Sequence, residues 1–248
     1  NYGNFNVNQY AEFTGVITNH EGGNFKVGAA NVLFDGNMTN QGILTVAKMA
    51  IFRNLVNDTT GSIIFSASGG GSVGADGTIF INLTNRGAIT VNVNSVLFTD
   101  GLTNSGTGTI TVSSGATGTR FQNMVDKSGA ILFVNSGTLN FRADAGANEY
   151  IDLKNTSTGV ISVEANINFA NMENDGQLTI SGTRTNGTSN TINFYGTLVN
   201  NGTIGGSGAV NIYYIASGTG TFNMTSSRSV VSYLYDPSKP VTGLPSGN

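Results

Sequence analysis

Apolar and polar residues alternate along this chain in short bursts that return in a fixed order. An apolar residue, any residue and Asn come first, then a short turn containing Gly, then apolar–polar–apolar. The phrase reads Ile17-Thr18-Asn19, Gly22, Phe25-Lys26-Val27, and returns as Met38-Thr39-Asn40, Gly42, Leu44-Thr45-Val46. Leu83-Thr84-Asn85, Gly87, Ile89-Thr90-Val91 is its plainest form. It recurs around Asn57, Asn104, Asn155, Asn174 and Asn200, with Asp126 taking the Asn place after Met124-Val125. These positions lie about 23 residues apart, with gaps from 17 to 29. A constant phrase with variable gaps predicts a solenoid whose strands are fixed and whose loops vary.

A second series is coupled to the first. An aromatic residue stands three or four positions ahead of each phrase: Phe13, Phe34, Phe52, Phe80, Phe98, Phe121, Tyr150, Phe169 and Phe194. Each repeat therefore reads as one rung, with a strand carrying an inward aromatic and a period-2 strand of the Ile-Thr-Val kind. The Asn-x-Gly segment redirects the chain, since both residues tolerate left-handed backbone angles. No rung buries its apolar face alone; stacking at about 4.8 Å aligns Phe on Phe and Asn on Asn. The expected fold is all-β, a single right-handed parallel β-solenoid (β-helix) of about ten irregular rungs with Phe and Asn ladders. Its hand follows from the rule for parallel crossovers. A β-sandwich predicts turn signals every 8–12 residues, but not two coupled ladders at the longer spacing. The solenoid is expected over residues 1–235. Residues 236–248 hold all three prolines, Pro237, Pro240 and Pro245. They read as a tail or docking arm, because proline cannot donate to a ladder.

Composition sharpens this picture. Charged residues make up 10% of the chain, against roughly 25% in ordinary domains, so the surface is neutral and polar. Gly, Asn, Thr and Ser disfavour helix interiors, while Thr, Val, Ile and Phe suit a pleated sheet. The net charge of −3 and the absence of a basic patch give no footprint for nucleic acid. No apolar run approaches the roughly 20 residues of a membrane helix. The lack of cysteine removes disulfides and thiolate metal sites and fits a secreted protein. No signal peptide opens the chain, and Asn1 in place of Met reads as a processed or excised segment.

Catalytic and metal-binding patterns are sparse. The single His20 sits in a turn beside Glu21, and one His without Cys does not make a zinc site. The acids are scattered; Asp144, Glu149 and Asp152 form one local group, with Glu173 and Asp175 flanking Asn174 one rung on. A glycosidase needs two carboxylates converging in a groove, whereas these read as solvated loop residues. Gly69 to Gly77 carries a single, non-tandem glycine–aspartate run of the kind that binds calcium in β-rolls, and a loop accounts for it. No catalytic residue, metal ligand or cofactor is expected.

The phrases Leu-Thr-Asn-x-Gly and Gly-x-Ile-Thr-Val, as in Leu83 to Val91, resemble the degenerate repeats of secreted bacterial β-helix proteins, the autotransporter passengers and filamentous-haemagglutinin-like adhesins. The resemblance covers about residues 13–224 and is one of repeat style. It implies a parallel β-helix, export to the cell surface, and adhesion or fibre formation. It carries over no functional residue.

The resulting expectation is a secreted or cell-surface structural protein that stacks end to end into a filament or forms an adhesin stalk. Its partner would be a second copy of itself, through Asn4, Phe5 and Val7 at one end and Val230, Tyr233, Tyr235, Pro237 and Pro240 at the other. The alternative is a monomeric module binding host or matrix glycans or a protein, with Tyr213 and Tyr214 as its ligand surface. A polysaccharide-degrading enzyme is the third reading.

Overall fold

In a computed structural model of the chain, residues 1–65, 77–93, 96–113, 116, 119–142, 150–182, 189–225 and 231–233 are described. The strands follow one another around a coil and pair in parallel with those one rung on. One circuit runs Asn24–Val27, Val32–Phe34, Met38–Asn40, and then Ile43–Val46 lies on the strand where the circuit began. The chain is therefore a β-solenoid of about ten turns, as its repeats predict.

The first side is an 11-stranded sheet from Asn4–Val7 to Thr221–Met224. Its strands alternate as expected: Phe25, Leu44 and Ile89 are buried with Val27, Val46 and Val91, while Lys26, Thr45 and Thr90 face outward. The other two sides belong to a 16-stranded sheet, bent where the aromatic strand passes into the Leu-x-Asn strand. Ala50–Asn57, Leu97–Asn104 and Ile167–Asn174 run through both sides as single eight-residue strands. Left-handed residues mark this bend on several rungs, with φ of 54° at Asn54, 55° at Asn82 and 61° at Asp100.

That corrects the physical role of the phrase's Asn and Gly. The ladder asparagines have ordinary backbone angles. Gly22 of the first phrase is left-handed, with φ of 79°, as expected, but Gly42, Gly61, Gly87, Gly159, Gly176 and Gly202 are not, and are needed for space. A Cβ on Gly108 would lie 2.6 Å from both Asn104 Oδ1 and the Asn85 carbonyl oxygen, closer than any real Cβ approaches. The turn is tight because the buried Asn side chain fills it, and only a residue without a side chain fits against it.

The asparagines form one continuous hydrogen-bonded ladder. Each side-chain Nδ2 donates to Oδ1 of the next, from Asn1 through Asn19, Asn40, Asn57, Asn85, Asn104, Asn135, Asn155 and Asn174 to Asn200, all at 2.7–2.8 Å. Each amide also donates to main-chain carbonyls, as Asn85 does to Gly87 at 3.1 Å and Thr109 at 3.2 Å. From Asn19 to Asn200 these side chains are buried, so the ladder satisfies polar groups in a water-free interior.

Two positions differ from expectation. Asp126 is not a ladder residue; Asn135 stands between Asn104 and Asn155. Asp126 sits on a surface excursion closed by a Val125–Ile131 bridge, where its Oδ1 accepts from Ser128 N–H, Ser128 Oγ–H and Ala130 N–H. A buried carboxylate offers no amide N–H to continue the ladder, whereas this loop supplies donors to it. Tyr150 is not in the aromatic column either: it is 52% exposed, and buried Ile151 pairs with Phe169. The bend of this rung is one residue shorter, Ile151-Asp152-Leu153 against Phe169-Ala170-Asn171-Met172. Counting back three residues from Leu153 therefore lands on the outward face.

The rest of the aromatic column is as expected. Phe13, Phe34, Phe52, Phe80, Phe98 and Phe121 stack with centroids 4.5–5.3 Å apart, and the column resumes with Phe169 on Phe194 at 5.4 Å. Phe133, from the neighbouring Leu-x-Asn column, also stacks on Phe121 at 5.1 Å.

Candidate functional site

Several of the described acids are held by neighbours on adjacent rungs. Glu173 pairs with Lys154 at 2.6 Å, and Asp35 with Arg53 at 2.7 Å. The hydrogen bond and ion pair with Glu173 raise the Lys154 pKa. Asp175 accepts from Asn201 Nδ2 at 2.9 Å, and Asp152 accepts from the Asn171 main chain and side chain at 3.1 and 2.7 Å. Donation from the Thr59 N–H, then from Gln41, holds the Asp58 carboxyl below its usual range, with Arg86 contributing. His20 lies flat against the Tyr2 ring, centroids 4.0 Å apart. Among the described residues no three His, Cys, Asp or Glu gather as a metal site. Asp144, Glu149 and the run from Gly69 to Asp76 lie outside the described residues.

Two depressions open on the flanks. One, of about 130 Å³, lies between the Asp126 excursion and the outer face, lined by Val125, Ile131, Asn171, Glu173, Thr197 and Val199 among others. The other, of about 390 Å³, forms where Gly205 interrupts a row of outward side chains, beside Thr179, Thr203 and Asn223. Neither brings two carboxylates together.

The end positions divide. Asn4 is exposed and accepts from Asn24 Nδ2 at 3.0 Å. Phe5 is 43% exposed, its ring 4.9 Å from Phe25. Val7 is buried in the core and does not reach the outer surface, because it occupies the inward phase of its strand. Tyr233 ends the strand Val231–Tyr233, whose main chain pairs with Val210 to Ile212. Val230, Tyr235, Pro237 and Pro240 lie outside the described residues, as does the tail 236–248. No helix among the described residues is long and apolar enough to cross a membrane.

The tyrosine surface is more extensive than Tyr213 and Tyr214. Tyr213 stacks on Tyr195 with centroids 4.5 Å apart and planes 7° from parallel, and Tyr150 stands at 70° to Tyr195 at 4.8 Å. Tyr214, half-buried, follows at the bend before Ile215–Ser217. Burial, then charge interaction and a hydrogen bond with Tyr213, with Tyr150 contributing, push the Tyr195 phenol up. Tyr195 and Tyr150 belong to this group by rung geometry alone, since they are 45 residues apart in sequence. The outward position just after each inward aromatic was the signal that could have found Tyr195.

These features define the chain as a β-solenoid repeat scaffold, consistent with a structural or adhesin-like protein. No family model, curated protein or solved structure matches it.

Proposed function

We propose that this chain is an extracellular structural module, in the manner of the secreted bacterial β-helix proteins its repeats resemble. Its rungs continue from one copy to the next as a filament, or along an adhesin stalk. The observation that carries the reading is the unbroken amide ladder from Asn1 to Asn200, in which every side chain donates in the same direction. A stack of this kind has no natural length, because each rung is the template for its neighbour. The first rung supports it further: Asn4–Val7 is paired on one edge only, and Phe5 offers its ring beyond Phe25. A second copy adding its strands there would extend both sheet and columns. The sparse charge leaves little to repel such a neighbour.

Electron microscopy of the purified chain over a range of concentrations tests this. Filaments with an axial repeat of about 48 Å, ten rungs at about 4.8 Å, are expected. Monodisperse short rods at every concentration would remove the filament and leave only the stalk.

A further inference from the structure

We infer that the outer flank carrying Tyr150, Tyr195 and Tyr213 is a binding site for a neutral carbohydrate. This goes beyond the structural role, since a filament does not need exposed tyrosines on its side. Adjacent strands place two different columns next to each other on this face. Asn168, Asn193 and Asn211 stand in register on consecutive rungs, and their amides are linked: Asn193 Nδ2 donates to Asn168 Oδ1 at 2.9 Å, and Asn211 Nδ2 to Asn193 Oδ1 at 2.9 Å. Two residues further along the same strands, and so on the same face about 7 Å away, come Tyr195 and Tyr213. The Tyr195 N–H donates to the Phe169 carbonyl, which sets Tyr195 over Ala170. Ala170 has the smallest side chain of that column, and the Tyr150 ring leans in from the rung before it. Tyr150 and Tyr195 thus make a corner of two nearly perpendicular rings, 52% and 39% exposed, beside a half-buried amide ladder.

That combination selects a ligand chemistry. A sugar ring has an apolar C–H face and a rim of hydroxyls. The rings receive the former; the phenols and the amides receive the latter. Each amide has a second N–H and a second carbonyl lone pair beyond its ladder bonds. Asp152, two residues after Tyr150, is engaged by Asn171, and rings beside amides offer recognition to a neutral ligand. The aromatic rings here all carry hydroxyls, unlike the Phe of the core, as expected for a surface that is wet when empty.

The test uses the full chain. An array of neutral oligosaccharides, built from glucose, mannose or N-acetylglucosamine, is followed by titration calorimetry on the members that bind. Because the chain has eight Tyr and no Trp, tyrosine emission gives a second readout. The expected result is saturable binding with Kd between about 10 µM and 1 mM, weakened about tenfold or more in Tyr195→Ala and in Tyr150→Ala. Tyr195→Phe should stay within about threefold, which separates loss of the ring from loss of fold, and circular dichroism of each variant should match the parent. Asn193→Ala should weaken binding without disturbing the tyrosine stack. Results of two kinds would overturn the inference. One is the absence of saturable binding to any neutral member, or binding that survives the Tyr150→Ala/Tyr195→Ala pair. The other is self-association lost in Tyr195→Ala with no sugar bound, which would make the corner a contact between copies.

Discussion

The two ladders inside the coil obey different rules. The amide ladder admits one side chain: from Asn1 to Asn200 every rung supplies Asn, and the surface excursion around Asp126 leaves Asn135 in place beneath it. The aromatic column admits substitutes. Buried Ile151 takes its place next to Phe169, and Ile212 follows Phe194. An apolar column needs volume and little else, because dispersion and burial are not directional. An amide in the ladder must donate and accept at fixed points, and a replacement leaves both neighbours unpaired in a dry interior. Uniqueness in this fold is therefore carried by the polar column, while the apolar column supplies bulk stability.

The sharpest way to break that comparison is to replace one member of each column by a side chain of similar bulk. Asn85→Leu removes the acceptor for Asn57 Nδ2 and the donor to Asn104 Oδ1, Gly87 and Thr109. It should destabilise by about 3–5 kcal/mol, several unsatisfied groups at about 1–3 each. Urea unfolding followed by circular dichroism would read it. Next in size is Gly108→Ala. Its Cβ meets a main-chain oxygen and a ladder amide that cannot retreat, so about 2 kcal/mol is expected from overpacking. Phe80→Leu should cost only about 1 kcal/mol, since the stack of Phe52, Phe80 and Phe98 relaxes around a smaller apolar group. If Phe80→Leu proved as costly as Asn85→Leu, the distinction between the columns would be lost.

The same distinction explains what was legible in the chain beforehand. The coil, its rung count and most ladder positions follow from the returning phrase, because Asn and the period-2 strands are constrained at every rung. Spacing misleads where it is not a proxy for phase. Tyr150 has the right offset from Leu153 but belongs to a rung with a shorter bend, so its ring faces out. Asp126 has the right distance from Asn104 but sits on an inserted loop, and the true phrase, Phe133-Val134-Asn135, begins seven residues later. The tyrosine flank is half legible: Tyr213 stands out in the sequence as an adjacent pair with Tyr214. Tyr195 is readable as the outward position after inward Phe194, but Tyr150 reaches it through a rung with a shorter bend, and no local pattern in the chain encodes that meeting.

The smallest expected effect concerns pH, and it tests whether charge shares any of the ladder's work. The amides do not titrate. Among the groups with displaced pKa values, two at the surface are paired across rungs: Asp58, held low by Thr59, Gln41 and Arg86, and Lys154, held high by Glu173. A carboxyl whose folded pKa is depressed adds stability that is present above its unfolded pKa and disappears as pH falls through the folded value. For Asp58 this loss lies below about pH 4. A raised lysine acts in the opposite sense, adding stability below its unfolded pKa that is lost as pH rises through the folded value, above about pH 10. Both groups are largely in solvent, so each edge should be shallow, about 0.5 kcal/mol or less. The thermal midpoint should therefore be flat between about pH 5 and 9, in the parent and in Lys154→Met alike. A steep change inside that window would place a buried titratable group among the contacts that hold the rungs, and the amide ladder would no longer stand as the sole source of their specificity.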